Sequence, residues 1–398
     1  MDNEQMLANL AAYLSISGEI GINDIRKMSY SQPKMFIRSY MQFLRKNYPG
    51  SSELIDHITL IKSFGYGYTM PEKLMSKGIK LIENKYTKKN EMNANKKYDF
   101  KNIKVFCNQK QAINKTFSIN TFNSLKNLFR DNNANMILNS YRMDEEIKSL
   151  HPGIDFLELC KRRMKREPLL RQIDDRESPL LPDIIEFSLH GLSVLNEANF
   201  SKDQFAVALQ GIAGTHAKSD HEQEYSYFNN EIVFALQNAK SNKKILILDL
   251  DANFSHAMNE YCNHENILYV GFHADPNVDC SISSRNTIQN KNICYNLEIG
   301  INGEKYLSKL KNILDNINYT PDIFLILGSV NSYIFDNTSL LLVECQYFSQ
   351  IGNLLGKFAQ KNQIKKIILA QGRGFEKDSH ILFAELCTGI NDIIKDKG

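Results

Sequence analysis

Apolar positions change their spacing near residue 100, and the change divides the chain in two. Between residues 1 and about 86 the steps are three and four residues, as in Met6, Leu10, Tyr13 and Leu14 and again in Phe36, Tyr40, Phe43 and Leu44. That spacing lines one face of a helix. Breaks at residues 18–21, at Tyr48-Pro49-Gly50-Ser51-Ser52, and at Gly65-Tyr66-Gly67 ahead of Pro71 are turn chemistry, so the region 1–86 is predicted as a small all-α domain of short helices. The stretch 83–98, ENKYTKKNEMNANKKY, is rich in Lys and Asn and holds no large aliphatic residue besides methionine. A polar linker over 87–101 is expected there.

Beyond the linker the pattern becomes short aliphatic runs separated by amphipathic stretches. The runs 103–106, 205–209, 244–250, 267–272, 323–327 and 366–369 are β-branched or leucine-rich and of strand length. Buried parallel strands joined by crossover helices give this rhythm. The region 102–398 is therefore predicted as an α/β domain, three-layer α/β/α with a mainly parallel sheet. In such sheets ligands sit beyond the carboxyl ends of the strands, which directs attention to the residues just after each run.

Composition narrows the classes of function. With 42% hydrophobic and 23% charged residues the chain can bury a sizeable core and is not disordered by composition. Its 48 Lys and Arg against 45 Asp and Glu leave +3, too little to support nucleic acid as a partner. The basic run at 161–166 (KRRMKR) is an anion-binding or targeting patch or, as such runs commonly are, a solvated helix face. Seven scattered cysteines without a C-x-x-C pair do not make a disulfide framework or a thiolate zinc knuckle, so a reducing, cytoplasmic compartment is expected. The opening MDNEQ lacks the positive residues of a signal peptide, and no apolar run is long enough to span a membrane. Export as an effector by a specialised secretion system would leave no mark of this kind.

Chemistry-bearing residues gather just after the aliphatic runs. Gly214-Thr215-His216-Ala217 and then Tyr225-Ser226-Tyr227-Phe228-Asn229-Asn230 follow the run 205–209. KILILDLD ends at Asp249 and Asp251, Phe272-His273 ends the next run, and Tyr295-Asn296-Leu297 follows a polar stretch. Pro321-Asp322 opens another run and Gln371-Gly372 closes the last, while His151-Pro152-Gly153-Ile154-Asp155-Phe156-Leu157 stands upstream. In this order and spacing the pieces resemble the histone deacetylase and acetylpolyamine amidohydrolase family, of the arginase-deacetylase fold, over residues 102–398. That family carries Gly-His-His-Ala, then an aromatic-Cys-x-Phe-Asn segment, then a strand ending in Asp-x-Asp.

The resemblance implies a zinc ion held by Asp, His and Asp, a histidine acting as general base and acid, and a tyrosine hydroxyl at the oxyanion. Zinc needs charged or strongly basic donors and an open position for water. Asp251 stands at the first ligand position and Asp249 is a buried carboxylate behind it. The second ligand position holds Asn253 and the third Asn331, both neutral amides that bind zinc poorly, while Asp336 keeps a later family aspartate. His216 takes the second of the tandem histidines and Thr215 replaces the first. The aspartate that would partner His216 is His256. The tyrosine position holds Arg373, Gly374 or Phe375, depending on one gap, and none brings a phenol. The glycine-rich rim loop is replaced by residues 275–292, with Ser281, Ser283, Ser284 and Arg285.

Plainer readings stand beside these. His216 could be a hydrogen-bonded core histidine, and Asp249 or Asp251 could cap the next helix. The family's aspartates also help hold a structural monovalent cation, and an oxygen-only set of Asp251, Asn253 and Asn331 suits a hard ion, a water or a ligand amide. His256 could replace a lost ligand only if its loop were rebuilt. The expectation is a histone-deacetylase-like pseudoenzyme, a binding or regulatory protein with no zinc and a protein partner, engaged through the helical domain or as an oligomer. The alternative is an active deacetylase-type amide hydrolase with a rearranged metal site or none, zinc being expected only if the site is rearranged.

Overall fold

The computed structural model describes residues 97–110, 117–151, 182–219, 222, 225–274, 287–289, 292–297, 301–333, 336, 341, 343–374 and 378–395. The expected helical domain, most of the expected linker, the basic run and Phe375 lie outside the described residues.

Nine strands form one sheet among the described residues: β1 (Lys104–Asn108), β2 (Asn135–Asn139), β3 (Phe205–Leu209), β4 (Ile245–Asp249), β5 (Ile267–Ala274), β6 (Thr287–Gln289), β7 (Asn292–Leu297), β8 (Ile323–Gly328) and β9 (Lys366–Gln371). Their order is β2-β1-β3-β9-β8-β4-β5-β7-β6. Every pairing is parallel except that of β6 on β7, so eight strands run one way and a short antiparallel strand closes one edge. In β3, β4, β8 and β9 every residue is buried, which requires helices over both faces and explains the unbroken aliphatic runs.

The helices are α1 (Phe117–Asp131), α2 (Asp144–Leu150), α3 (Pro182–Ser188), α4 (Gly191–Phe200), α5 (Asn230–Lys240), α6 (His256–Tyr261), α7 (Gly303–Asn316), α8 (Gln346–Lys361) and α9 (Ser379–Lys395). One group joins α9 to α8 and α1, with α7 on α8; the other joins α4 to α5 and to β1, β3 and β9, with α2 on α5. Side-chain oxygens stop orphan N–H groups at three starts: Asn229 accepts from Ile232 N on α5 (3.1 Å), Ser255 from Met258 N on α6 (3.0 Å), and Asn302 from Lys305 N on α7 (3.0 Å). Ser255, and neither Asp249 nor Asp251, is thus the cap of α6.

The amino ends of the strands are tied to one another and to the end of α4. The Asp322 carboxylate accepts from Lys244 N (2.9 Å), joining the starts of β4 and β8. The Lys366 ammonium donates to the carbonyls of Ala198 (3.1 Å), Ser201 (2.6 Å) and Asp203 (2.7 Å), closing the carboxyl end of α4 against β9.

Backbone approaches backbone where α8 crosses α9. A methyl group on Gly389 would sit 2.1 Å from Ser349 O, and one on Gly352 would sit 2.2 Å from Leu386 O, so neither position has room for a side chain. Alanine usually stabilises a helix by about 1 kcal/mol over glycine. At Gly389 it must push the helices apart, and Gly389→Ala is expected to lower stability by about 2 kcal/mol; a rise in the urea midpoint would refute the contact.

His151, which follows α2, ties that helix to the turn carrying the site. Its Nε2 accepts from Asn229 N (3.0 Å), so the ring is neutral with its proton on Nδ1. Burial pushes its pKa down to about 4 from 6.5. The folded state prefers the neutral ring, so this stabilisation is complete above about pH 6.5 and is lost as pH falls towards 4. Between pH 7.5 and 4.5, urea unfolding should show wild type losing about 2–3 kcal/mol more than His151→Gln; parallel losses in the two proteins would exclude the buried neutral ring.

Candidate functional site

The four central strands of the sheet, β3, β9, β8 and β4, each deliver one residue to a single point beyond their carboxyl ends. His216 comes after β3, Arg373 after β9, Asn331 after β8 and Asp251 after β4. All four are buried. Asp251 is the hub. Its Oδ2 lies 3.6 Å from His216 Nε2 and 3.6 Å from Arg373 Nε. Its Oδ1 accepts from Asn331 Nδ2 (2.7 Å) and Asn253 N (2.9 Å), with Asn253 Nδ2 at 3.4 Å.

Asn331 uses both ends of its amide, because Oδ1 also accepts from Ala252 N (3.0 Å). Turning the amide over would set oxygen against carboxylate and NH2 against N–H, so the contacts fix its orientation. Behind Asp251, the Asp249 carboxylate accepts from Asp251 N (3.0 Å) and from the Tyr269 hydroxyl (3.1 Å). Burial and then the charge of Asp251 push the Asp249 carboxyl upward. For Asp251 burial acts upward too, but Arg373, His216 and the Asn253 N–H outweigh it and hold the carboxyl well below the usual carboxylate range.

The segment carrying His216 is held from three directions. Asn229 Nδ2 donates to Thr215 O (3.1 Å) and lies 3.4 Å from Ala217 O, and the Ser255 hydroxyl donates to Thr215 O. His216 N donates to Ser226 Oγ (3.3 Å). Gly214 passes so close to the start of α5 that a methyl group there would lie 1.8 Å from Phe228 O. Its N–H donates to both oxygens of the Glu231 carboxylate (3.0 and 3.1 Å), which also accepts from Gln210 Nε2 (2.6 Å). Burial pushes the Glu231 carboxyl up, against these donors and Arg373.

Arg373 is bracketed along its whole length. Its N–H donates to Ser329 Oγ (3.0 Å), its carbonyl accepts from Val330 N (2.6 Å), and Nη2 donates to Ser226 Oγ (3.1 Å). Ser226 donates in turn to Ala213 O (3.0 Å). It follows Tyr225, whose φ of 61° is left-handed, an uncommon conformation for a bulky residue and one that turns the chain inward here.

Of the residues singled out from sequence, His216, Asp249, Asp251, Asn253 and Asn331 come together, and Phe375 lies outside the described residues. His256 begins α6 with its ring edge-on to Phe254, 5.1 Å between centroids. Asp336 is buried in the segment after β8. Sequence reasoning treated Arg373 only as one residue in the tyrosine position and gave Ser226 and Glu231 no role. The available signal was Ser226 in place of the family's cysteine, a hydroxyl where an acceptor for a guanidinium is needed.

This donor set does not fit zinc. Asp251 Oδ1 already accepts two short hydrogen bonds, Asn331 Oδ1 is held by Ala252, and a guanidinium faces Oδ2. No group of three or more His, Cys, Asp or Glu that could hold a metal occurs among the described residues. Both Asp249 oxygens, which the resemblance associates with a monovalent cation, accept from protein donors. No helix among the described residues is long and apolar enough to cross a membrane.

Similar proteins agree on the frame. An acetylpolyamine aminohydrolase from Burkholderia pseudomallei superposes with a TM-score of 0.59 at 16% identity, over 73% of this chain and 98% of that one. The HDA15 HD domain superposes with a TM-score of 0.54 at 13% identity, over 74% and 90%. At these identities the likeness establishes the fold alone. No curated protein matches the chain in sequence. The sequence profile described as the histone deacetylase domain matches residues 121–390, more than half of the chain and all four strand ends that form the site. By this match, the chain belongs to the histone deacetylase domain family.

Proposed function

We propose that this chain is a binding or regulatory protein on a histone deacetylase fold, working without catalytic zinc and without hydrolysing an amide. The observation that carries the reading is the Asn331 amide, which donates to Asp251 and accepts from Ala252. An aspartate at that place would set a second carboxylate against Asp251, an arrangement that a metal dication stabilises and that is repulsive without one. The amide turns the repulsion into a hydrogen bond. His216 keeps a carboxylate neighbour, but that carboxylate is engaged on both oxygens by protein groups, Asn331 and Asn253 on one and Arg373 on the other. The partner is then a protein met through surfaces, with the segment before residue 97, which precedes the family match, as the part to contact it.

Zinc content and hydrolysis test the reading together. Purified full-length protein should carry less than about 0.1 equivalents of zinc and release no acetate from acetyl-lysine peptides or acetylated polyamines. Near-stoichiometric zinc that survives dialysis against a weak chelator, together with acetate release, would establish the alternative of an active hydrolase with a rearranged metal site.

A further inference from the structure

We propose that the Arg373 guanidinium is the resident cation of this site, standing in for the metal ion as the positive charge that balances Asp251. The inference deepens the zinc-free reading above and rests on it. Asp251 is 1% exposed and Arg373 6% exposed, so neither charge is relieved by bulk water. Among the described residues, the other buried basic side chain of the Lys and Arg type is Lys366, at the amino end of β9, whose pKa burial pushes down to about 8. At the carboxyl end, Arg373 stands beside Asp251 with Asp249 and Glu231 buried nearby.

The positions where the chain departs from the family pattern fit one another around this arginine. Ser226 replaces a cysteine, a weak acceptor, and its hydroxyl accepts from Arg373 Nη2. Asn331 replaces an aspartate that would need a second positive charge, and donates to Asp251. Asn253 replaces a histidine ligand and leaves its backbone N–H on Asp251. Arg373 itself holds the turn after β9 to that after β8 through Ser329 and Val330, so its place is fixed by backbone as well as by charge. Together these groups satisfy Asp251 Oδ1 by hydrogen bonds and leave Oδ2 to the charge of Arg373 and to His216, each at 3.6 Å.

Restoring zinc donors is therefore not enough to restore zinc. A dication brought to Asp251 would meet a buried guanidinium, and repulsion there weakens binding whatever ligands are supplied.

Two measurements on the full chain test this. The first is a thermal double-mutant cycle. Arg373→Met should lower the unfolding midpoint by about 5–10 °C, since it strands a buried carboxylate. Adding Asp251→Asn should recover part of that loss, and Arg373→Lys should lose less than Arg373→Met. Shifts that add within about 1 °C would overturn the proposal. The second is zinc titration. Asn253→His with Asn331→Asp should gain no tight zinc while Arg373 remains, and should bind at least about 100-fold more tightly once Arg373→Met is added. Equal zinc affinity with and without Arg373 would also overturn it. Where the ligand variants show no cooperative melting, the thermal cycle alone decides. Zinc in the wild-type protein would instead defeat the zinc-free reading, while the cycle would still report whether Arg373 and Asp251 are coupled.

Discussion

A carboxylate ion buried at the end of a parallel sheet is the constraint around which this site is organised. Taking such a charge out of water costs several kcal/mol even after relaxation, about the size of a domain's whole net stability. Hydrogen bonds to a charged acceptor return about 1.5–3 kcal/mol each, and an opposite charge near 4 Å contributes about 4 kcal/mol at an intermediate dielectric. Asp251 has two short hydrogen bonds, from Asn331 and Asn253, besides its two cationic or polar neighbours at 3.6 Å. No single one of these would suffice, and the set balances at the order of magnitude required.

The same balance joins elements far apart in sequence. Asp251 follows β4, Arg373 follows β9, and Asn331 spans the loops after β8 and β4 through its two amide atoms. The long connection between β3 and α5 enters twice, as His216 and as Ser226, and is itself pinned by the α5 cap Asn229 and by Glu231 on Gly214. An electrostatic network of side chains thus fixes these strand ends to one another.

The sequence was most legible where burial is complete. The runs at 205–209, 244–250, 267–272, 323–327 and 366–369 correspond to β3, β4, β5, β8 and β9, because strands covered on both faces carry uninterrupted aliphatic residues. Polar ends such as His273 and Gln371 still pair, so β5 and β9 run beyond the runs that announced them. Strand β2, NMILN, escaped notice as an edge strand with one fully buried residue, and β7, NICYNL, as a half-buried strand whose only further neighbour is the short β6. The site followed the same rule. His216, Asp251, Asn253 and Asn331 were readable from motif order, whereas the pairing of Arg373 with Asp251 exists only once β9 and β4 are brought into one sheet with β8 between them. No local pattern encodes a contact of that kind.

The two ends of the sheet are built on different terms. At the amino ends, Asp322 accepts from the Lys244 N–H and the Lys366 ammonium donates to three carbonyls, so both side chains are used by the protein's own backbone. That end works as a foundation, and the loops at the other end stand on it as exchangeable fittings. A chain carrying such a foundation can accept substitutions among those fittings while the sheet beneath them keeps its own ties.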